Sequence, residues 1–96
     1  MSKKTLLITG TSGFIGYNFL KYILTKNYYI IDILREKNKK NYKLKKLKKK
    51  YPKNYKSIFF SNNHQLERKI KKLKINYFIN FATLYKNNHV YNDIFN

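Results

Sequence analysis

The three glycines of this 96-residue chain lie in one short segment, at Gly10, Gly13 and Gly16. Because glycine has no Cβ, it allows backbone conformations and close approaches that other residues forbid. The segment lies between the apolar run 6–8 and an amphipathic stretch that begins at Phe14. Between a strand and a helix, such a cluster can present backbone amides to the phosphates of a dinucleotide. The sequence therefore predicts a dinucleotide-phosphate loop.

An α/β unit with a parallel sheet of about four strands is the predicted frame for this loop. Apolar periodicity predicts strands over 5–9, 28–34, 57–60 and 76–82, and helices over 13–26 and 66–73. The lysine-rich stretch 37–56 keeps a weaker helical rhythm that stops at Pro52, so we interpret it as either a weak helix or a solvated excursion. Strands that alternate with helices indicate a parallel sheet with flanking helices.

Composition excludes several classes of site and protein. No apolar run approaches the roughly 20 residues that a membrane-spanning helix needs, and the lack of cysteine excludes disulfides and thiolate metal sites. His64 and His89 are far apart and the chain has only four acidic residues, so we expect no metal site. The N-terminus makes a poor signal peptide. These features predict a cytoplasmic protein without a membrane partner.

The formal net charge of +18 would suit a nucleic-acid-binding protein. The chain is, however, crowded with residues that AT-rich codons encode, and it has one Ala, one Pro and two Arg. We therefore favour mutational drift on solvated faces as the origin of the charge. Glycines that persist against this bias are less easily explained by chance, which strengthens the prediction of a phosphate loop.

Two segments resemble a known family. The first, Thr9–Gly16, reads TGTSGFIG and is similar to the TGxxGFIG fingerprint of the extended short-chain dehydrogenase/reductases, in particular the nucleotide-sugar epimerases and dehydratases. The second, residues 65–83, resembles the family's helix and following strand, which ends in an "-INLAA-" sequence. The resemblance covers essentially the whole chain. It implies that residues 1–96 form an incomplete NAD(P)-binding Rossmann domain, of β-α-β-α-β-α-β order, without the substrate domain.

The resemblance assigns the cofactor's diphosphate to the loop, and Gly10 would permit a tight bend there. Gly13 would let the backbone approach the pyrophosphate, and Gly16 would let the helix pack closely on the sheet. The amides that open the helix would face the phosphates, helped by the helix dipole. The implied cofactor-binding residues of this loop are Gly10, Thr11, Ser12, Gly13, Phe14, Ile15 and Gly16.

Two alignments of the second strand imply different cofactors. With a turn two residues shorter than the family's, Asp32 resembles the carboxylate of "-LDNL-", which would hold the adenosine ribose hydroxyls and favour NAD. Without a gap, Arg35 matches an arginine that meets a 2′-phosphate and favours NADP. We prefer Asp32 and NAD and keep Arg35 and NADP as the alternative.

The later strands carry the remaining implied contacts. At the third strand the family has an acidic residue that reads the adenine, and Asn62 would be a neutral substitute here or simply a turn residue before the helix. At the fourth strand Phe81, Ala82 and Thr83 would lie at the carboxyl edge, near the nicotinamide side of the cofactor.

The family's catalytic pattern, Tyr-x-x-x-Lys, supplies a general base and a lysine that lowers its pKa. It occurs here at Tyr17/Lys21, Tyr22/Lys26 and Tyr42/Lys46, always far upstream of the family's catalytic helix. We therefore assign no catalytic residue. The chain is expected to be a truncated product or a fragment, with a nucleotide-sugar substrate only in a full-length form.

Two other functions stay open at this point. The Lys37–Lys56 tract, interleaved with Tyr42, Tyr51 and Tyr55, could contact phosphates and stack on bases as a nucleic-acid-binding module. Alternatively, the chain could be a gene remnant with no function of its own. An incomplete sheet would also expose an edge, of the first or the fourth strand, and so favour self-association.

Overall fold

Four parallel strands form the sheet of this protein in the computed structural model, which describes residues 3–81. The elements are β1 Lys4–Thr9, α1 Phe14–Ile23, β2 Tyr28–Arg35, a 3-10 helix Glu36–Lys40, α2 Tyr42–Lys50, β3 Tyr55–Phe60, α3 Asn63–Ile70 and β4 Tyr77–Asn80. The strand order is β3-β2-β1-β4, and every pairing is parallel. The predicted α/β class and its Rossmann-like parallel sheet are therefore confirmed.

The centre of the sheet is covered on both faces, and the side chains of its strands point to these two faces in turn. On one face Leu6 and Ile8 pack with residues of α1 and α2, such as Leu20 and Leu44. On the other face Leu7 packs with residues of β2, β3 and α3. This double covering explains why the centre of β1 is a continuous apolar run rather than an alternating one.

The lysine-rich tract contains a regular helix, α2. Leu44 and Leu47 lie one turn apart and are buried against the sheet, while the two lysines between them are exposed. The side chain of Asn41 caps the helix, since its Oδ1 accepts a hydrogen bond of 3.2 Å from the Leu44 amide. Of the two interpretations left open, the helix is therefore the one observed. No helix among residues 3–81 combines the length and the apolar character that crossing a membrane requires.

The two edges of the described sheet are β3 and β4, whereas β1 lies in its interior between β2 and β4. Of the two strands expected to expose an edge, the fourth therefore does so in the described sheet and the first does not. Its register explains why, because Leu6 pairs with Ile30 on one side and with Tyr77 on the other. The order also brings the carboxyl ends of β1 and β2 together, beside the loop that follows β1.

Candidate dinucleotide site

The loop between β1 and α1 turns sharply at Gly10. This residue has φ of 80°, a left-handed conformation that residues with a Cβ rarely adopt. Its carbonyl oxygen accepts a hydrogen bond of 3.2 Å from the Gly13 amide, which closes the turn. Gly13 then begins the helix, because its own carbonyl accepts from the Tyr17 amide at 2.9 Å. The tight bend expected at Gly10 is thus present.

The other two glycines meet different surroundings. A Cβ on Gly16 would lie 2.1 Å from the Gly10 carbonyl oxygen, so α1 and the loop backbone are in contact there and leave no room for a side chain. The close approach that requires this glycine is thus between the helix and the loop rather than the sheet. A Cβ on Gly13 would lie 3.6 Å from the same oxygen, an ordinary contact. The protein's own packing therefore does not require glycine at Gly13.

The N-terminus of α1 is open to solvent. No side chain caps it and its first turn carries no acidic residue. Ser12 and Gly13 are exposed, and the next two side chains are largely so, with 84% of Phe14 and 67% of Ile15 accessible. The first amides of an α-helix have no carbonyl one turn earlier in the helix to bind, and the helix dipole adds partial positive charge. This end of α1 can therefore accept an anion.

Thr11 differs from the rest of the loop because its side chain is completely buried. Its Oγ1 donates to the Asp32 carboxylate and lies 2.8 Å from Oδ1 and 2.7 Å from Oδ2. Only the backbone of Thr11 is thus placed to meet a ligand at the loop.

Asp32 lies in the middle of β2, three residues before its end, and is 0% exposed. Besides Thr11, the Tyr55 hydroxyl donates to its Oδ2 at 2.5 Å. Burial raises the pKa of Asp32 to about 6, although the hydrogen bonds from Tyr55 and Thr11 and the Lys48 charge oppose this. A contact with the ribose hydroxyls needs carboxylate oxygens that are open to a ligand, whereas those of Asp32 are buried and already accept from Thr11 and Tyr55. The ribose contact of Asp32 stays a prediction.

Tyr55 is one of the three tyrosines that the nucleic-acid interpretation of the Lys37–Lys56 tract expects to stack on bases. It opens β3 and is only 3% exposed. Burial and the adjacent Asp32 raise the pKa of its phenol, so the hydroxyl keeps its proton and donates. Tyr55 cannot stack on a nucleic-acid base in this conformation. The signal available in the sequence was the alternation of Tyr55, Ser57 and Phe59, which gives them one face of a strand.

Arg35 ends β2 at the carboxyl edge of the sheet and is exposed. Its guanidinium lies over the Phe60 ring, with Cζ 5.1 Å from the ring centroid, and Phe60 is also its partner in the register of β2 and β3. Such cation–π stacking restrains a long side chain while leaving its N–H groups able to donate. Of the two candidates on this strand, Arg35 is the one at the accessible end.

Asn62 caps α3. Its Oδ1 accepts from the Gln65 amide at 2.8 Å, and Gln65 Oε1 accepts from the Ser61 amide at 2.7 Å. Asn62 is thus the N-cap of α3, while Gln65 bonds back to the residue before the cap, so the turn-residue interpretation of Asn62 describes what the structure contains. Its adenine contact stays a prediction.

Phe81 continues the β1–β4 pairing, since its amide donates to the Thr9 carbonyl at 2.9 Å. Its ring packs on Phe19, with centroids 5.2 Å apart, and so contributes to the core. The other two residues predicted at this edge, Ala82 and Thr83, lie outside the described residues.

The three upstream Tyr-x-x-x-Lys pairs are cation–π pairs on helices or at a helix end. The lysine Nζ lies 5.5 Å from the ring centroid in Tyr17/Lys21, 4.9 Å in Tyr22/Lys26 and 5.3 Å in Tyr42/Lys46. This spacing is what residues one helical turn apart produce. It explains the pairs without any catalytic role.

The chain matches one family model and is similar to a solved structure. The family model described as GDP-mannose 4,6 dehydratase matches residues 7–92. A solved structure named SsCR_L211H aligns with a TM-score of 0.65 and 19% identity, which shows a shared fold. That alignment covers 84% of this chain and 24% of the other, so this chain spans about a quarter of its neighbour's length.

A search of curated proteins gives no match. The family match nevertheless extends over most of the 96 residues, and it agrees with the resemblance inferred from Thr9–Gly16. The chain belongs to the GDP-mannose 4,6-dehydratase family of NAD(P)-dependent epimerases and dehydratases.

Proposed function

We propose that this chain binds the adenosine diphosphate part of a nicotinamide dinucleotide at the loop 10–16. The observation that carries the proposal is the uncapped, solvent-open N-terminus of α1, held against a loop that turns at Gly10. Backbone amides and a helix dipole in this arrangement favour a diphosphate. The exposed Gly13 leaves the space beside these amides free of side-chain atoms, which a pyrophosphate needs in order to approach them.

We propose further that the cofactor is NADP rather than the NAD first preferred. The carboxylate that would have favoured NAD is buried and engaged by two hydroxyls. Arg35, by contrast, is exposed at the strand end beside the loop. The neighbouring carboxylate of Glu36 forms an ion pair of 3.0 Å with Lys39 rather than with Arg35, and it is the one salt bridge found within residues 3–81. An arginine in this position can donate to a 2′-phosphate with paired N–H groups.

Titration of the purified chain with NADP+ and NAD+ by calorimetry tests both proposals. We expect tighter binding of NADP+, and we expect Arg35→Gln to weaken it by about 10- to 100-fold, because a hydrogen bond to a charged group contributes about 1.5–3 kcal/mol. Binding of NAD+ should change little. The matched control is Arg68→Gln on α3, an exposed arginine on a different element.

If neither dinucleotide binds the wild-type chain, the binding proposal fails. If both bind but Arg35→Gln leaves their ratio unchanged, the assignment of Arg35 fails while the phosphate site stands.

The reaction itself is proposed to need residues beyond this chain. The only Tyr-x-x-x-Lys pairs are the three upstream ones, whose lysines lie over the tyrosine rings. We therefore propose that the chain corresponds to the cofactor-binding portion of a nucleotide-sugar epimerase or dehydratase. Incubation with NADP+ and GDP-mannose should give no dehydrated sugar nucleotide by mass spectrometry, and turnover by the chain alone would contradict this assignment.

A further inference from the structure

A buried network of three hydrogen-bonded side chains lies beneath the loop that follows β1. Its members come from three different segments, namely Thr11 in the loop, Asp32 in β2 and Tyr55 in β3. Thr11 and Asp32 are 0% exposed and Tyr55 is 3% exposed. None of these side chains can therefore reach a bound ligand, so any effect they have on binding must pass through the backbone they hold.

The network ties the loop to the sheet at one point. Thr11 directly follows the left-handed Gly10, and its one hydroxyl proton is shared between two carboxylate oxygens, at 2.8 and 2.7 Å. Asp32 is fixed in turn by the Tyr55 hydroxyl at 2.5 Å and by the pairing of β2 with both β1 and β3. A short loop anchored in this way has little freedom to change its peptide orientations.

We propose that Asp32 and Tyr55 are positioning residues that hold Thr11, and thereby keep the amides of the loop 10–13 in the orientation that binds phosphate. This inference rests on the proposed binding of a dinucleotide. It gives Asp32 a role different from ribose recognition. It also explains why a tyrosine is buried at the start of β3. The Tyr55 hydroxyl donates to the buried Asp32 carboxylate, and a hydrophobic residue in its place would remove this hydrogen bond.

The same geometry makes the anchor sensitive to pH. The groups that face Asp32 and Tyr55 are Thr11, Lys48 on α2, Tyr17 on α1 and Ser57 on β3. Burial raises the pKa of Asp32 to about 6, so the carboxyl gains a proton in mild acid. A protonated carboxyl is itself a donor and offers fewer acceptor sites, so it no longer holds both hydroxyls equally well. The loop should loosen below this pH, although the fold as a whole gains stability there because a buried charge is removed.

The Gly13 amide reports the loop without any ligand, because it donates to the Gly10 carbonyl across the turn. Its chemical shift and hydrogen exchange should be followed by NMR between pH 5 and 8. In the wild type we expect the shift to titrate with Asp32, and in Asp32→Asn we expect this titration to vanish. Tyr55→Phe should speed exchange of this amide, whereas Tyr51→Phe, a matched change at the end of α2, should not.

Binding of NADP+ by the same variants completes the test. Thr11→Val and Tyr55→Phe should weaken binding about tenfold, while Thr11→Ser, which keeps the hydroxyl, should stay near wild type. If these variants fold and bind like the wild type, or if the Gly13 amide ignores the Asp32 titration, the positioning role is wrong. If the amide responds as expected but the wild type binds no dinucleotide, the positioning of the loop stands and only the proposed function fails.

Discussion

Replacing two glycines of the loop by alanine should separate folding from binding. Gly16→Ala places a methyl group against the loop backbone, and Gly13→Ala places one at the solvent-open helix start. The two changes are chemically identical and lie three residues apart. We expect Gly16→Ala to destabilise the fold and Gly13→Ala to leave it intact while impairing dinucleotide binding.

The distances set the expected size of the effect. At Gly16 the new Cβ would be 2.1 Å from the Gly10 oxygen, which is 1.3 Å closer than the 3.4 Å where ordinary contact begins. Forcing an extra group into a packed site costs about 1–3 kcal/mol, and we expect the upper end, about 3 kcal/mol, because the atoms that it meets are backbone. Alanine returns about 1 kcal/mol of helix propensity, which leaves a net loss of about 2 kcal/mol. The free energy of unfolding of a protein domain is only about 5–15 kcal/mol, so a loss of this size is a large part of the total.

At Gly13 the new Cβ would be 3.6 Å from the same oxygen, and the residue has φ of −88°, which alanine adopts freely. Since Gly13 is the N-cap of α1 and alanine is a poorer N-cap residue than glycine, the free energy of unfolding should fall by about 1 kcal/mol or less, clearly less than at Gly16. The methyl group instead occupies space beside the helix amides, where the diphosphate is proposed to bind.

Urea unfolding followed by circular dichroism gives the free energy of each variant, and calorimetric titration with NADP+ gives its affinity. The reasoning about the loop would be refuted if Gly16→Ala were as stable as the wild type. It would equally fail if Gly13→Ala lost stability to the same extent as Gly16→Ala. Unchanged NADP+ affinity in a folded Gly13→Ala protein would remove the phosphate site from this part of the loop.

Three further outcomes are expected. Because the pKa of Asp32 is raised from 3.8 to about 6, the native protein binds this proton more tightly than the unfolded chain, so its stability falls as pH rises through that window. We expect the free energy of unfolding of the wild type, measured against that of Asp32→Asn by urea unfolding at each pH, to fall by about 3 kcal/mol as pH rises through this window. A difference between the two proteins that does not change with pH would contradict this expectation. Leu44→Ala should cost about 2–5 kcal/mol in the same assay, since the side chain is 4% exposed, and a neutral result would mean that α2 does not pack on the sheet. Tyr77→Lys on the edge strand β4 should reduce any self-association seen by sedimentation, whereas Tyr42→Lys on α2 should not.

The class of the fold and the place of the loop could be predicted from local pattern. Glycine spacing between an apolar run and an amphipathic helix is a feature of neighbouring residues, so it is visible without tertiary contacts. The strand and helix order followed for the same reason. Boundaries were less accurate, since α1 ends at Ile23 rather than Lys26, where bonds such as the one from the Lys26 amide to the Ile23 carbonyl tighten the last turn.

The alternatives that the sequence left open depended on which side chains become buried together. The lysine-rich tract forms a helix because the sheet offers an apolar surface on which Leu44 and Leu47 pack. Asn62 caps α3 because its side chain accepts from the Gln65 amide, and Gln65 in turn accepts from the Ser61 amide.

By itself, then, the sequence determined that a parallel α/β unit would carry a glycine loop at the start of its first helix, since residues adjacent in the chain encode both. Tertiary structure alone decided what Asp32 does. Its partners Thr11 and Tyr55 are 21 and 23 residues away and meet it only because parallel pairing aligns their segments. Burial in that position changes the pKa of a carboxylate, and no pattern of neighbouring residues records how deeply a side chain is covered.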